Sequence, residues 1–181
     1  MRAWLPLLAM LLGCGANLPA RAVLERDLGD YRFRRYQQVL DVEVPMPGNP
    51  AVGHTATYIR GGTPLAVAPA FVTVYEKPAG LAEHARRTFR GMDTYAYAVE
   101  KTEGEYVWSL KGESGDAWLV WVSGARLIKL GAPEGVEAVP EPVLEAYLDR
   151  YPSDLTSKGR AEADAPSAGD PPEPTAEQGT P

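Results

Sequence analysis

Apolar residues recur along this chain with the alternation of strands in several short blocks, and with helical spacing in two others. Segment 31–44, YRFRRYQQVLDVEV, is strand-like in its second half, where Leu40, Val42 and Val44 alternate with Val39, Asp41 and Glu43. A Pro/Gly-rich loop covers Pro45 to Gly53. His54–Arg60 reads as a short strand that Gly61-Gly62 ends, and Leu65–Tyr75 as another. Pro69 brings no backbone N–H to that second strand, so an edge position or a break is expected there. In Pro78–Arg90, Leu81, Ala85 and Phe89 make one helical stripe; Arg86, Arg87 and Arg90 complement the dipole at its end and Gly91 stops it. Thr94–Lys101, Glu105–Leu110, Ala117–Val122 and Arg126–Leu130 then follow as strands at hairpin spacing. Glu141–Tyr151 is a second helix, with Val143, Leu144, Tyr147, Leu148 and Tyr151 on its apolar side.

This order predicts an α+β domain over residues 22–153. Its expected core is an antiparallel sheet, a meander of about four strands plus N-terminal strands, with two helices packed on one face. From Asp154 to Pro181 the chain is rich in Pro, Ala, Gly and acids and has one large aliphatic residue, Leu155, and no aromatic. Such a segment buries too little apolar surface to offset its chain entropy, so 154–181 is expected to be a disordered acidic tail.

The first twenty residues follow another logic. Ala3 to Leu12 is an uncharged apolar run of ten residues behind Arg2. As a helix it would reach about 15 Å, half of a bilayer's hydrocarbon thickness. Its length and position fit the apolar region of a signal peptide. The run ends in Leu11-Leu12-Gly13-Cys14, which resembles the lipobox of bacterial lipoproteins. That resemblance implies a signal peptide at 1–13, a diacylglycerol thioether on Cys14, cleavage before it and a further acyl chain (palmitate or similar) on the freed amine, with 14–21 as a tether. Two or more acyl chains anchor a protein stably where one binds marginally. Gly15 follows the cysteine where Asp would signal retention in the inner membrane, which by the same resemblance points to the periplasmic face of the outer membrane.

Charge and cysteine content then narrow the function classes. The net charge is −6 over 181 residues, and −7 once Arg2 leaves with the signal peptide. An acidic chain is a poor partner for nucleic acid or anionic headgroups, so the lipid rather than charge would hold it at the membrane. Cys14 is the only cysteine, which excludes intrachain disulfides and cysteine-based zinc sites.

Candidate chemistry is sparse. His54 and His84 stand outside any ligand-spaced pattern, and no cofactor or metal is expected. Ser109, Ser114 and Ser123 lack a nucleophile-elbow context, and Gly61-Gly62-Thr63-Pro64 lacks the Lys and helix of a phosphate loop. Two features point to a contact surface instead. In the basic-aromatic run Tyr31–Tyr36, strict alternation would put Arg32, Arg34 and Tyr36 on one side and Tyr31, Phe33 and Arg35 on the other. Trp118 and Trp121 fall on opposite faces of their strand, so helices covering one face would leave one of them available. Arg32, Arg34, Arg35, Trp118 and Trp121 are therefore the candidate interaction residues. The expectation is a non-enzymatic envelope lipoprotein acting as an interaction or assembly module. The alternatives are a small-ligand binding lipoprotein and a hydrolase with an acidic site.

Overall fold

The computed structural model describes residues 21–61 and 66–161. Cys14 with its lipobox, the signal peptide 1–13, the tether 14–20 and the tail 162–181 lie outside the described residues. Seven strands and two helices follow one another as β1 (Tyr31–Val39), β2 (Ala51–Arg60), β3 (Val67–Tyr75), α1 (Leu81–Arg90), β4 (Tyr95–Thr102), β5 (Glu105–Gly112), β6 (Ala117–Ser123), β7 (Arg126–Gly131) and α2 (Glu141–Arg150). All strand pairs are antiparallel, in the order β1-β2-β3-β7-β6-β5-β4. The chain lays down one meander, crosses by way of α1 to the far edge, and returns by a second meander that docks β7 beside β3. The fold is thus α+β and mostly sheet. Among the described residues no helix is long and apolar enough to cross a membrane.

The ladder register decides which residues share a face, because residues paired across antiparallel strands point the same way. One face carries His54, Ala56 and Tyr58 of β2, Ala70 and Val72 of β3, Ile128 and Leu130 of β7, and Leu119 and Trp121 of β6. Helix α2 lies here: Tyr147 meets Tyr58 edge-on with ring centroids 6.3 Å apart. Trp121 Nε1 donates to the carbonyl of Tyr151 at 2.7 Å. The other face carries Phe71, Lys129, Trp118, Val120, Trp108 and Leu110. Helix α1 lies there, with Phe89 6.1 Å from Trp108 and Arg90 over the ring of Tyr97. The two helices therefore cover opposite faces, where the apolar patterning predicted one. Each helix has a single stripe, and a stripe does not say which face of a sheet it meets.

Three tyrosine hydroxyls clasp the start of the domain. Tyr58 Oη donates to the carbonyl of Leu24 at 2.5 Å, Tyr151 Oη to that of Ala22 at 2.5 Å, and Tyr147 Oη accepts from the Leu24 amide at 3.3 Å. Burial, reinforced by the adjoining hydroxyl, drives the Tyr58 phenol far above its ordinary value, so it stays a neutral donor at any physiological pH.

Several local expectations change. β1 ends at Val39, so Leu40–Val44 is not strand. A register shift between Phe33 and Arg35 breaks strict alternation: Phe33 pairs with Tyr58 and Tyr36 with Ala56 on the α2 face, while Arg32 and Arg35 pair with Ile59 and Thr57 on the α1 face. β3 is an interior strand despite Pro69, since its ladder to β7 runs only from Ala70 to Val74. Pro69 thus lies past the end of that ladder, packed on Gly131, where an added Cβ would come 2.7 Å from the Pro69 ring. α1 starts at Leu81 rather than Pro78, because Gly80 adopts a left-handed φ of 72° that no helix continues through. Residues 154–161, expected in the tail, belong to the fold. Leu155 and Ala161 are buried, the carbonyl of Gly159 accepts from Trp108 Nε1 at 3.0 Å, and Asp154 Oδ2 accepts from the amide of Gly124 at 2.5 Å.

Candidate interaction surface

α1 and residues 154–161 cover the sheet's second face over the β4–β6 side. Toward β1–β3 that face stays partly open: Thr55, Thr57, Ile59, Val67, Pro69, Phe71 and Trp118 are half-buried, and Arg32 and Arg35 are exposed. The open region is thus a strip of apolar and aromatic side chains bordered by two arginines on the edge strand. Arginines on an edge also oppose strand-to-strand aggregation.

Trp118 is held from several sides. Its Nε1 donates to Asp116 Oδ2 at 3.1 Å, and its ring lies 6.0 Å from that of Phe71. Gly131 makes room for it, since a Cβ there would come 2.6 Å from the indole. The Ser114 hydroxyl and the Trp118 indole N–H bond the Asp116 carboxyl and hold it below the usual carboxylate range, so the indole's acceptor stays charged. Lys129 Nζ sits 4.4 Å above the Trp118 ring centroid, a cation–π contact. The same ammonium donates to both carboxylate oxygens of Glu43, at 2.6 and 2.8 Å. Next to this pair, under Leu40–Val44, lies a cavity of about 140 Å³ lined by Val39, Val42, Glu43, Phe71, Leu127 and Lys129, among others. Leu40, between the lining residues Val39 and Asp41 but not itself in the lining, is 83 % exposed.

The five candidate residues do not all meet. Arg32, Arg35 and Trp118 share the open face. Arg34 is exposed but lies at the register shift of β1 and has no cross-strand partner in the ladder. Trp121 is fully buried under α2, so it is a core residue and leaves the candidate set. Phe71, Lys129 and Leu40 were missed. Phe71 and Lys129 carry no signal in isolation, because only the β3–β7 pairing brings them beside Trp118. Leu40 continues the alternation of β1 in sequence, and only the end of that strand at Val39 puts it in the loop.

Both histidines have hydrogen-bond partners within the fold. His84 Nε2 lies 3.0 Å from the carbonyl of Pro45 and ties α1 to the loop. His54 is buried on the α2 face, its Nδ1 2.9 Å from Tyr36 Oη, and the Arg21 guanidinium lies over the Tyr36 ring. Burial pushes the His54 imidazole below its ordinary value of 6.5, because the charged ring would lose hydration. The unfolded chain then binds the proton more readily than the folded one. The stability this group contributes is fully present above pH about 6.5 and is lost as pH falls toward the folded value. We expect denaturant midpoints to fall over that window in the parent, and His54→Gln to remove that part of the slope. An unchanged slope would place the titration elsewhere.

Among the described residues, carboxylates gather at one place. One oxygen from each of Glu103, Glu141 and Glu145 lies within 4.8 Å of the others, beside Glu105 and Asp149, in an open groove between α2 and the β4–β5 hairpin. The three are exposed and reach into water, unlike a general acid in a closed cleft. Set against protein-family models, curated proteins and solved structures, the chain finds no match in any of the three.

Proposed function

We propose that the chain is a lipid-anchored envelope protein whose domain works as a non-enzymatic interaction module. Its partner would be a protein with acidic groups around an apolar patch. The observation that carries this reading is the open half-face that runs from Arg32 and Arg35 on the edge strand β1, across β2, to Phe71 on β3 and Trp118 on β6. On a chain of net charge −6 this cationic border stands out, and opposite charge across an interface speeds encounter and fixes register. A partly exposed tryptophan on the same face as two arginines has the composition of interface anchors.

The position of Arg21, the first described residue, supports the reading. Arg21 lies on the α2 side, over the ring of Tyr36, whereas Arg32, Arg35 and Trp118 look the other way. Gly15 to Ala20 spans at most about 20 Å even when extended. A lipid on Cys14 would hold the domain close to the bilayer, with the open face on the side away from the tether.

Each half of the reading has its test. Cys14→Ser should abolish incorporation of labelled palmitate and move the protein from the detergent phase to the aqueous phase. Detergent partitioning like that of the parent would refute the anchor. The paired reversal Arg32→Glu and Arg35→Glu should leave the thermal midpoint within about 2 °C, since exposed charges contribute little to stability. It should reduce partner recovery after cross-linking in intact cells by about tenfold or more. Undiminished recovery would remove the arginines from the contact.

A further inference from the structure

An ion pair to Glu43 and a cation–π contact with Trp118 hold the Lys129 ammonium in a seat that apolar residues usually fill. Its strand is interior, it is 9 % exposed, and its ladder neighbours are Phe71 and Val120. An ion pair in such a place commonly stabilises no more than apolar residues of similar volume, because desolvation consumes the attraction. The cation does, however, border a cavity, and its counter-ion comes from a loop side chain. Glu43 presents both carboxylate oxygens to Nζ from the rim, and its side chain is 40 % exposed. Other bonds hold the loop's main chain: Tyr75 Oη donates to the carbonyl of Val44 at 2.7 Å, and His84 meets that of Pro45. Glu43 can therefore rotate into water without the loop opening.

We infer that this cavity is a binding site for a short-chain monocarboxylate, whose carboxylate takes the place of Glu43 on Lys129 Nζ. The alkyl chain lies among Val39, Val42, Phe71 and Leu127, which supply the apolar wall. Gly53 brings β2 close under Val39, whose carbonyl an added Cβ would approach to 3.2 Å. The chemistry sets three rules. A charge-assisted bond to a buried ammonium selects an anion over an alcohol of equal length. Asp41 and Glu43 on the exposed side of the lining could hold an amine, so only a ligand that reaches the buried Lys129 separates the anion from the amine. A cavity of about 140 Å³ takes a few carbons and not a long acyl chain. The Glu43 side chain competes for the same donor, so its removal strengthens binding. Phe71 and Lys129 belong both to this cavity and to the partner surface beside it, and butyrate binding is measured without the partner.

The test is a titration of the full domain with sodium butyrate, followed by amide chemical shifts, with 1-butanol and n-butylamine as probes of matched length. We expect saturable shifts at Phe71, Thr73 and Lys129 with butyrate only. Glu43→Gln should bind butyrate about tenfold more tightly than the parent. Lys129→Met should show no saturable shifts, its fold being checked by circular dichroism. Should Lys129→Met not fold, the contrast between parent and Glu43→Gln, and between butyrate and butanol, still decides. Equal responses to butyrate and butanol, no gain in Glu43→Gln, or shifts that map elsewhere would each overturn the site.

Discussion

Trp121→Ala is expected to destabilise the domain by about 3–5 kcal/mol, the range for truncating a fully buried large aromatic. At this size of domain that lowers the thermal midpoint by about 10 °C or more. Two losses combine. The indole is fully buried between the sheet and α2, so its removal leaves a void that the helix can close only in part. The carbonyl of Tyr151, at the end of α2, also loses its 2.7 Å donor. Trp118→Ala is the informative control. Trp118 is half-buried and keeps water on one side, so its loss should cost no more than about 2 kcal/mol. The two tryptophans lie three residues apart on one strand, and the difference between them separates core from contact surface. Chemical denaturation of both variants measures it. Equal costs would mean that the face carrying Trp118 is covered.

Ending the chain at Ser153 is expected to cost about 3 kcal/mol or more relative to the full chain. Burial of Leu155 contributes about 1.5–3 kcal/mol. Loss of the Gly159 carbonyl leaves Trp108 Nε1 without its 3.0 Å acceptor inside the core, a further cost of about 1–3 kcal/mol. Gly159 suits this seat because its φ of +67° is left-handed and a Cβ would come 2.7 Å from Val99 and 3.0 Å from Trp108 Nε1. The effect should appear in the denaturant midpoint and in faster proteolysis of the α1 face. A truncated chain as stable as the parent would show that residues 154–161 only rest on the sheet.

Strand and helix positions were legible because local periodicity reports them. Four strands at hairpin spacing after one helix folded as the returning meander β4 to β7. What stayed hidden is non-local. The α1 and α2 stripes name the buried side of each helix but not its sheet face, which the crossing from β3 to the far edge decides. Pro69 argued for an edge, yet a strand can be interior along most of its length and an edge at one residue. The β1 register shift inverted the partners of Arg35 and Tyr36, and no residue type announces it. Residues 154–161 were assigned to the tail by average composition, which a single leucine and a well-placed glycine do not alter. The surface was half legible: Arg32, Arg35 and Trp118 were singled out, whereas Phe71 and Lys129 join them only through the β3–β7 ladder. Alternation puts Trp118 and Trp121 on opposite faces, and only the position of α2 decides that Trp121 is the core one.

The central claim, that this domain meets its partner on the open half of its second sheet face, is tested most directly by photo-cross-linking in intact cells. A photoreactive residue is placed in turn at Arg35, Phe71 and Trp118, and as controls at Asp149 and Glu103 beside the acidic groove. The account predicts that the three positions on the open face capture one and the same protein reproducibly and that the two controls do not. Capture of that protein from the control positions, or of no protein from the open face, would contradict it.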